Sequence, residues 1–143
     1  MRTCSCYALA HTDPRTGKAT LTREGKALPD VFEGVFLEAQ FLLEDYLSLV
    51  FLSDDDPYDA GLHIYLLSEN GDILDALEAG AAYASGIFKI KQYGDTWIEF
   101  EFFTNDTVYK LTTLERQQFQ FSLPTGWKYK HFLQKHQLLL EQL

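Results

Sequence analysis

The sequence predicts an α+β protein: a β-rich antiparallel meander of about seven or eight strands, curled into a sandwich or half-barrel, with a C-terminal helix packed on it. Three observations predict this class. Apolar residues recur with period two, or in short runs, over 35–43, 46–52, 62–67, 73–77, 87–93, 96–103, 108–114 and 119–123. Turn residues such as Asn70-Gly71 and Gly94-Asp95 separate most of these runs. After Leu123-Pro124 the apolar spacing becomes helical. At 143 residues, 46% of them hydrophobic, one domain with one core is expected.

The elements follow in chain order. Cys4 and Cys6 read as reduced thiols facing the same way on an edge strand, too few for a disulfide framework or a structural zinc site. Residues 11–30 read as a polar hairpin or loop around Asp13-Pro14 and Gly17. Residues 31–43 fit two periods. Phe32, Val35, Phe36, Ala39, Leu42, Leu43 and Tyr46 have helical spacing, with Asp30 and Glu33 as a capping pair. Strand is favoured because Gly34 interrupts that helix and Glu44-Asp45 steps tightly into 46–52.

Two hairpins permit register predictions. A two-residue Asn70-Gly71 turn sets Ile64 opposite Leu77 and His63 opposite Glu78. A two-residue Gly94-Asp95 loop would set Ile90 against Glu99 and Lys91 against Ile98. A three-residue loop, 94–96, instead pairs Ile90 with Phe100, Phe88 with Phe102, Lys91 with Glu99 and Lys89 with Glu101, and is preferred. In the C-terminal segment Thr125 reads as an N-cap, and Tyr129, Phe132, Leu133, His136, Leu139, Leu140 and Leu143 trace one helical face.

Charge is unevenly placed. Residues 27–88 carry thirteen carboxylates and no lysine or arginine, so nearly all of the net charge of −9 lies there. Glu99 and Glu101, outside the stretch, are expected to find lysines across their hairpin, whereas the carboxylates inside it have only like charges and His63 for local company. An isoelectric point near 4.7 disfavours nucleic acid as a partner. No run approaches the ~18 apolar residues of a membrane span, and Met1-Arg2 leads into Cys4-Ser5-Cys6 rather than an apolar signal stretch. A soluble cytoplasmic protein is expected.

The sharpest cluster is Asp54-Asp55-Asp56-Pro57-Tyr58-Asp59. As a calcium loop it fails, because Tyr58 takes the slot of the third ligand and Tyr65 that of the closing glutamate. It fits a contact surface for a basic partner, or a solvated turn whose aspartates cap backbone N–H groups. His63 is the most interesting titratable group, although no nucleophile motif accompanies it. His136 reads as a satisfied core residue on the final helix. No pair of histidines has metal-site spacing, and the small-residue segment 80–86 lacks the lysine of a phosphate loop. No cofactor is implied. Tyr58, Tyr83 and Trp127 are candidate exposed anchors.

The stretch Leu52-Ser53-Asp54-Asp55-Asp56-Pro57-Tyr58-Asp59-Ala60-Gly61-Leu62-His63-Ile64-Tyr65-Leu66-Leu67, followed by Tyr83-Ala84-Ser85-Gly86-Ile87-Phe88, resembles small bacterial proteins grouped with the immunity proteins of polymorphic and contact-dependent toxin systems. The resemblance covers about residues 31–104 and transfers no catalytic residues. It implies a cytosolic protein that binds and neutralises a cognate toxin. Together with the charge it leads to a non-catalytic binding module. Its acidic face, Asp54, Asp55, Asp56, Tyr58, Asp59, His63, Asp72, Asp75 and Glu78, would dock on a basic, nuclease-like surface. The alternative is a small enzyme or ligand-binding domain with a pocket near His63. A third reading is a subunit that self-associates through its sheet edge or helix.

Overall fold

The computed structural model describes residues 1–56, 58–80, 85–120, 122–131 and 134–143. Fourteen strands run through them: β1 (Arg2–Thr3), β2 (Tyr7–Asp13), β3 (Lys18–Arg23), β4 (Lys26–Ala27), β5 (Phe32–Glu33), β6 (Phe36–Leu42), β7 (Ser48–Ser53), β8 (Gly61–Leu67), β9 (Ile73–Gly80), β10 (Gly86–Tyr93), β11 (Trp97–Phe103), β12 (Val108–Gln118), β13 (Trp127–Tyr129) and β14 (His136–Gln142). They form three sheets. The central one has the order β1-β6-β7-β8-β9-β13, the second β10-β11-β12-β14, and the third β2-β3-β4 with β5 also on β3.

The central sheet is covered on both faces. Leu49, Phe51, Leu62 and Ile64 point into a core shared with Ile98, Phe100, Leu111 and Leu138 of the second sheet. Their neighbours Val50, Leu52, Tyr65 and Leu67 point the other way, into a core shared with Tyr7, Leu21 and Phe32. Every residue of β7 and β8 is buried. Two-sided burial is why these strands read as unbroken apolar runs rather than as alternation. Each large apolar side chain fully buried there contributes about 1.5–3 kcal/mol. No helix among the described residues is long and apolar enough to cross a membrane.

Residues 31–43 form strands, and Gly34 marks the joint between two sheets. Its φ of +114° is closed to other residues, and a Cβ there would lie 2.6 Å from Leu52 Cβ. Its N–H donates to Gly17 O in the turn between β2 and β3 of the third sheet, while that of Val35 donates to Ser53 O of the central sheet. The residue that breaks the helical pattern thus lets the chain cross over against β7.

The α+β expectation is corrected: the described residues contain no helix, and the segment expected to be one supplies β13 and β14. Trp127 and Tyr129 point into the first core around an outward Lys128, and His136, Leu138 and Leu140 do the same around Gln137 and Leu139. The triplet Leu138-Leu139-Leu140 satisfies either period, so apolar spacing could not decide. Strands win because β9 and β12 offer unpaired backbone edges, which another strand satisfies and a helix does not. Thr125 belongs to a turn, not an N-cap: the Trp127 N–H donates to Pro124 O at 3.1 Å, and Gly126 has φ +90°. Phe132 and Leu133 lie outside the described residues. Trp127, expected to be exposed, is only 7% exposed.

Both predicted hairpins keep their central register by a different route. His63 faces Glu78 and Ile64 faces Leu77, but the turn is the three-residue kind. The Gly71 N–H donates to Ser68 O, and only Gly71, not Asn70, has positive φ. A bulge between Leu66 and Leu67 on β8 and Asp75 and Ile73 on β9 then restores the register of a two-residue turn. In the second hairpin Lys89 faces Glu101 and Ile90 faces Phe100 as expected. A bulge at Lys91 then shifts the tip, so that Gln92 faces Glu99 and donates to it at 2.7 Å, while Lys91 reaches Glu101 at 3.7 Å. The tip closes through a two-residue Asp95-Thr96 loop, with the Gly94 N–H donating to Trp97 O at 2.9 Å, in place of the expected three-residue loop.

Asp75 fastens the central sheet to the second. Its Oδ1 accepts from the Ala76 N–H and His136 Nδ1, and its Oδ2 from the N–H groups of Gln137 and Leu138, all between 2.9 and 3.0 Å. His136, buried as expected but on a strand, stacks on Tyr129 with ring centroids 3.5 Å apart. The Tyr129 hydroxyl donates to Leu138 O at 2.6 Å, and burial together with the Asp75 carboxylate pushes its pKa up. Substituting Asp75→Ala orphans two buried N–H groups and an imidazole. We expect a loss of about 3–5 kcal/mol in urea unfolding. A double-mutant cycle with His136→Ala should give a coupling of about 1–3 kcal/mol; independent, additive losses would refute the tie.

Candidate functional site

The site lies on the face of the central sheet that turns towards β5. His63 on β8 and Glu78 on β9 are cross-strand partners on that face. Strand β13 joins the free side of β9, pairing Lys128 with Glu78 and Tyr129 with Leu77. Because Trp127 and Tyr129 enter the first core, alternation carries Lys128 and Lys130 to the opposite face, beside His63 and Glu78. Glu33 of β5 closes the group from the third sheet, where its backbone N–H donates to the Tyr65 hydroxyl at 2.9 Å.

Lys130 is the hub. Its Nζ donates to Glu33 Oε1 at 3.0 Å, Glu78 Oε2 at 3.0 Å and His63 Nδ1 at 2.9 Å, which uses all three ammonium protons. It also stands 5.7 Å from the centre of the Tyr65 ring. An ammonium cannot accept, so His63 Nδ1 must, and the ring is the Nε2–H tautomer with Nε2 donating to Asp54 Oδ1 at 2.9 Å. Lys128 Nζ sits 3.1 Å from Glu78 Oε1. Burial alone would raise the Glu78 pKa, but hydrogen bonds from Lys130 and Lys128 outweigh it and hold the carboxyl below its ordinary value. Burial pushes the Tyr65 phenol well above its own. A side chain at Gly61 would collide with the Asp54 carboxylate, so glycine there gives Asp54 its path to His63.

Two chemistries are constrained by this geometry. The ligand atoms of Glu33, His63 and Glu78 lie within 4.8 Å of one another, a donor set of the kind that binds metal ions. The Lys130 ammonium, in hydrogen-bond contact with all three, already supplies a cation there. Both nitrogens of His63 are engaged, one by Asp54 and one by Lys130, so neither is presented as a general base. Beside the cluster opens a cleft of about 540 Å³ lined by Glu33, Asp54, Asp59, His63, Glu78 and Lys128.

The residues expected on one acidic face are only partly brought together. Asp54, His63 and Glu78 converge, and Asp59 lines the same cleft. Asp55, Asp56 and Tyr58 are exposed on the adjoining loop, with Tyr58 74% exposed. Asp56 Oδ1 accepts from the N–H groups of Tyr58 and Asp59 at 3.0 and 3.1 Å, the backbone-capping role. Asp72 is exposed at the far tip of the β8–β9 hairpin, about 20 Å along the strands. Asp75 does not belong to an acidic face: it is buried on the opposite side of the sheet in the tie to β14. Tyr83 lies outside the described residues.

Sequence reasoning missed Glu33 as a site residue, and it missed Lys128 and Lys130. The idea that the acidic stretch had no basic company is corrected by these lysines, of which Lys130 lies 52 and 97 positions from the carboxylates of Glu78 and Glu33 that it binds. Their alternation with Trp127 and Tyr129 is a two-residue period, the signal that the helical reading overrode.

Lys130→Met would leave Glu33 and Glu78 without their shared cation, and chemical denaturation should show a loss of about 2–3 kcal/mol. For Glu78 the sign is set by its lowered value. Its contribution to stability is present above the ordinary carboxyl value of 4.5 and is lost as pH falls through the lower folded value. Glu78→Gln should therefore be less stable than the parent at neutral pH, with the difference closing in acid; a constant difference across that range would contradict the assignment. Comparison of the chain with protein-family models, with curated proteins and with solved structures finds no match, so this geometry itself carries the functional reading.

Proposed function

We propose that the protein is a non-catalytic binding module, an immunity protein that neutralises a cognate toxin by laying its acidic loop on a basic surface of that toxin. One observation carries the proposal. The lysines of the His63 cluster, Lys128 and Lys130, are committed to Glu78 and Glu33, while among the described residues no lysine or arginine pairs with Asp55 or Asp56. Those two carboxylates stand exposed on a loop that also presents Tyr58. Repulsion among them is relieved when a cationic surface approaches, which speeds encounter and favours a basic partner over an acidic one. The occupied ring nitrogens of His63 support binding over catalysis.

The cleft beside His63 favours a second reading, capture of a small ligand. Its carboxylate-rich lining suits a cationic molecule. Both readings are separable by kinetics against the protein encoded beside this one. Association should be fast and should slow at least about tenfold when salt shortens the screening length. The pair Asp55→Asn, Asp56→Asn should slow it further at low salt, while Asp54 is left intact because it holds His63. Association unchanged by salt and by both substitutions would overturn the proposal, and a small cation displacing the partner would favour the second reading.

A further inference from the structure

The loop that begins at Asp54 is a ridge between two clefts, and the second cleft has a different character. It lies at the open side of the sandwich between β6 and β10, the terminal strand of the second sheet, and measures about 350 Å³. Its walls are apolar: Phe36, 49% exposed, Ile87, 72% exposed, and Phe88 and Phe102. Its rim is acidic, formed by Glu38, Asp54, Asp55 and Asp56. Gly86 is part of the construction, since a Cβ there would lie 2.6 Å from the Phe102 ring. The ring therefore lies against bare backbone and lines the groove.

Resting on the proposed binding function, we infer that this groove seats an extended segment of the partner protein in which apolar side chains alternate with lysines or arginines. Exposed aromatic and aliphatic anchors inside a charged rim are the arrangement of an interface centre, not of a surface that stays wet. The rim selects the sign of the occupant. Carboxylates repel phosphate and anionic lipid head groups, and a second copy of this chain would bring a second acidic rim against the first. A purely cationic segment would leave Phe36 and Ile87 uncovered. A purely apolar one would bury Asp54, Asp55 and Asp56 without counter-charge.

The test is an NMR titration of the isotopically labelled full chain with three short synthetic peptides of equal length. One alternates lysine or arginine with leucine and phenylalanine, one is oligolysine, and one replaces the cations of the first with glutamate. The alternating peptide should shift the amides of Phe36, Asp55, Asp56 and Ile87. Ile87→Asp and Phe36→Ser, both at exposed positions, should each weaken it at least about tenfold without moving the unfolding curve. Oligolysine binding equally well, with neither substitution mattering, would overturn the groove while leaving the acidic-face function standing. Shifts confined to the His63 cleft would do the same. If neither cationic peptide binds at low salt, both the groove and the function on which it rests fall.

Discussion

The Asp75 carboxylate holds the two halves of this molecule in register. It sits on β9, in the middle of the chain, yet three of its four hydrogen bonds come from β14 at the chain's end. A buried carboxylate is tolerable only when its lone pairs are filled, and here each oxygen accepts two N–H groups. Once β14 is fixed against β9, the backbone edge of β12 is covered and the core between the two sheets is closed. The stacked pair Tyr129 and His136 extends the same fastening to β13, because Tyr129 reaches back to Leu138 O.

The placement of β13 has a second consequence on the other face of the sheet. Two aromatics of the Trp127–Tyr129 strand complete one core, and strand alternation then leaves Lys128 and Lys130 no choice but the face that carries Glu78 and His63. Packing on one side thus delivers charge compensation on the other. The three-way hydrogen bonding of Lys130 joins β5, β8 and β9 through one ammonium, and the neutral imidazole of His63 passes the connection on to Asp54 at the foot of the acidic loop. The loop is anchored at that end, while Asp55, Asp56 and Tyr58 remain outward. Local neutralisation separates carboxylates that hold the structure from those facing outward.

Much of the β architecture was legible in the residues. The pairing of Lys89 with Glu101 followed from keeping apolar residues on one face, because a slip of one position would turn every side chain over, and that of His63 with Glu78 from the place of Asn70-Gly71 between the strands. Gly34 argued correctly against a helix over 31–43. The turn geometries were less legible, since two hairpins reached the expected register through bulges at β8–β9 and at Lys91, and a bulge leaves little trace in apolar spacing. Of the site, Asp54, His63 and Glu78 were visible through charge and cross-strand pairing. Glu33, Lys128 and Lys130 were not, because a contact between residues far apart in the chain has no local signature.

By itself the sequence determined that this chain would be rich in antiparallel strands, that β7 and β8 would be apolar along their length, and that negative charge would concentrate in residues 27–88. Local periodicity and composition carry that information directly. Only the tertiary structure decided that the last segment is strand, that Asp75 is buried, and which carboxylates keep a lysine. Those outcomes depend on which backbone edges were left open and which face of the sheet each side chain met, and both are settled by packing between distant parts of the chain.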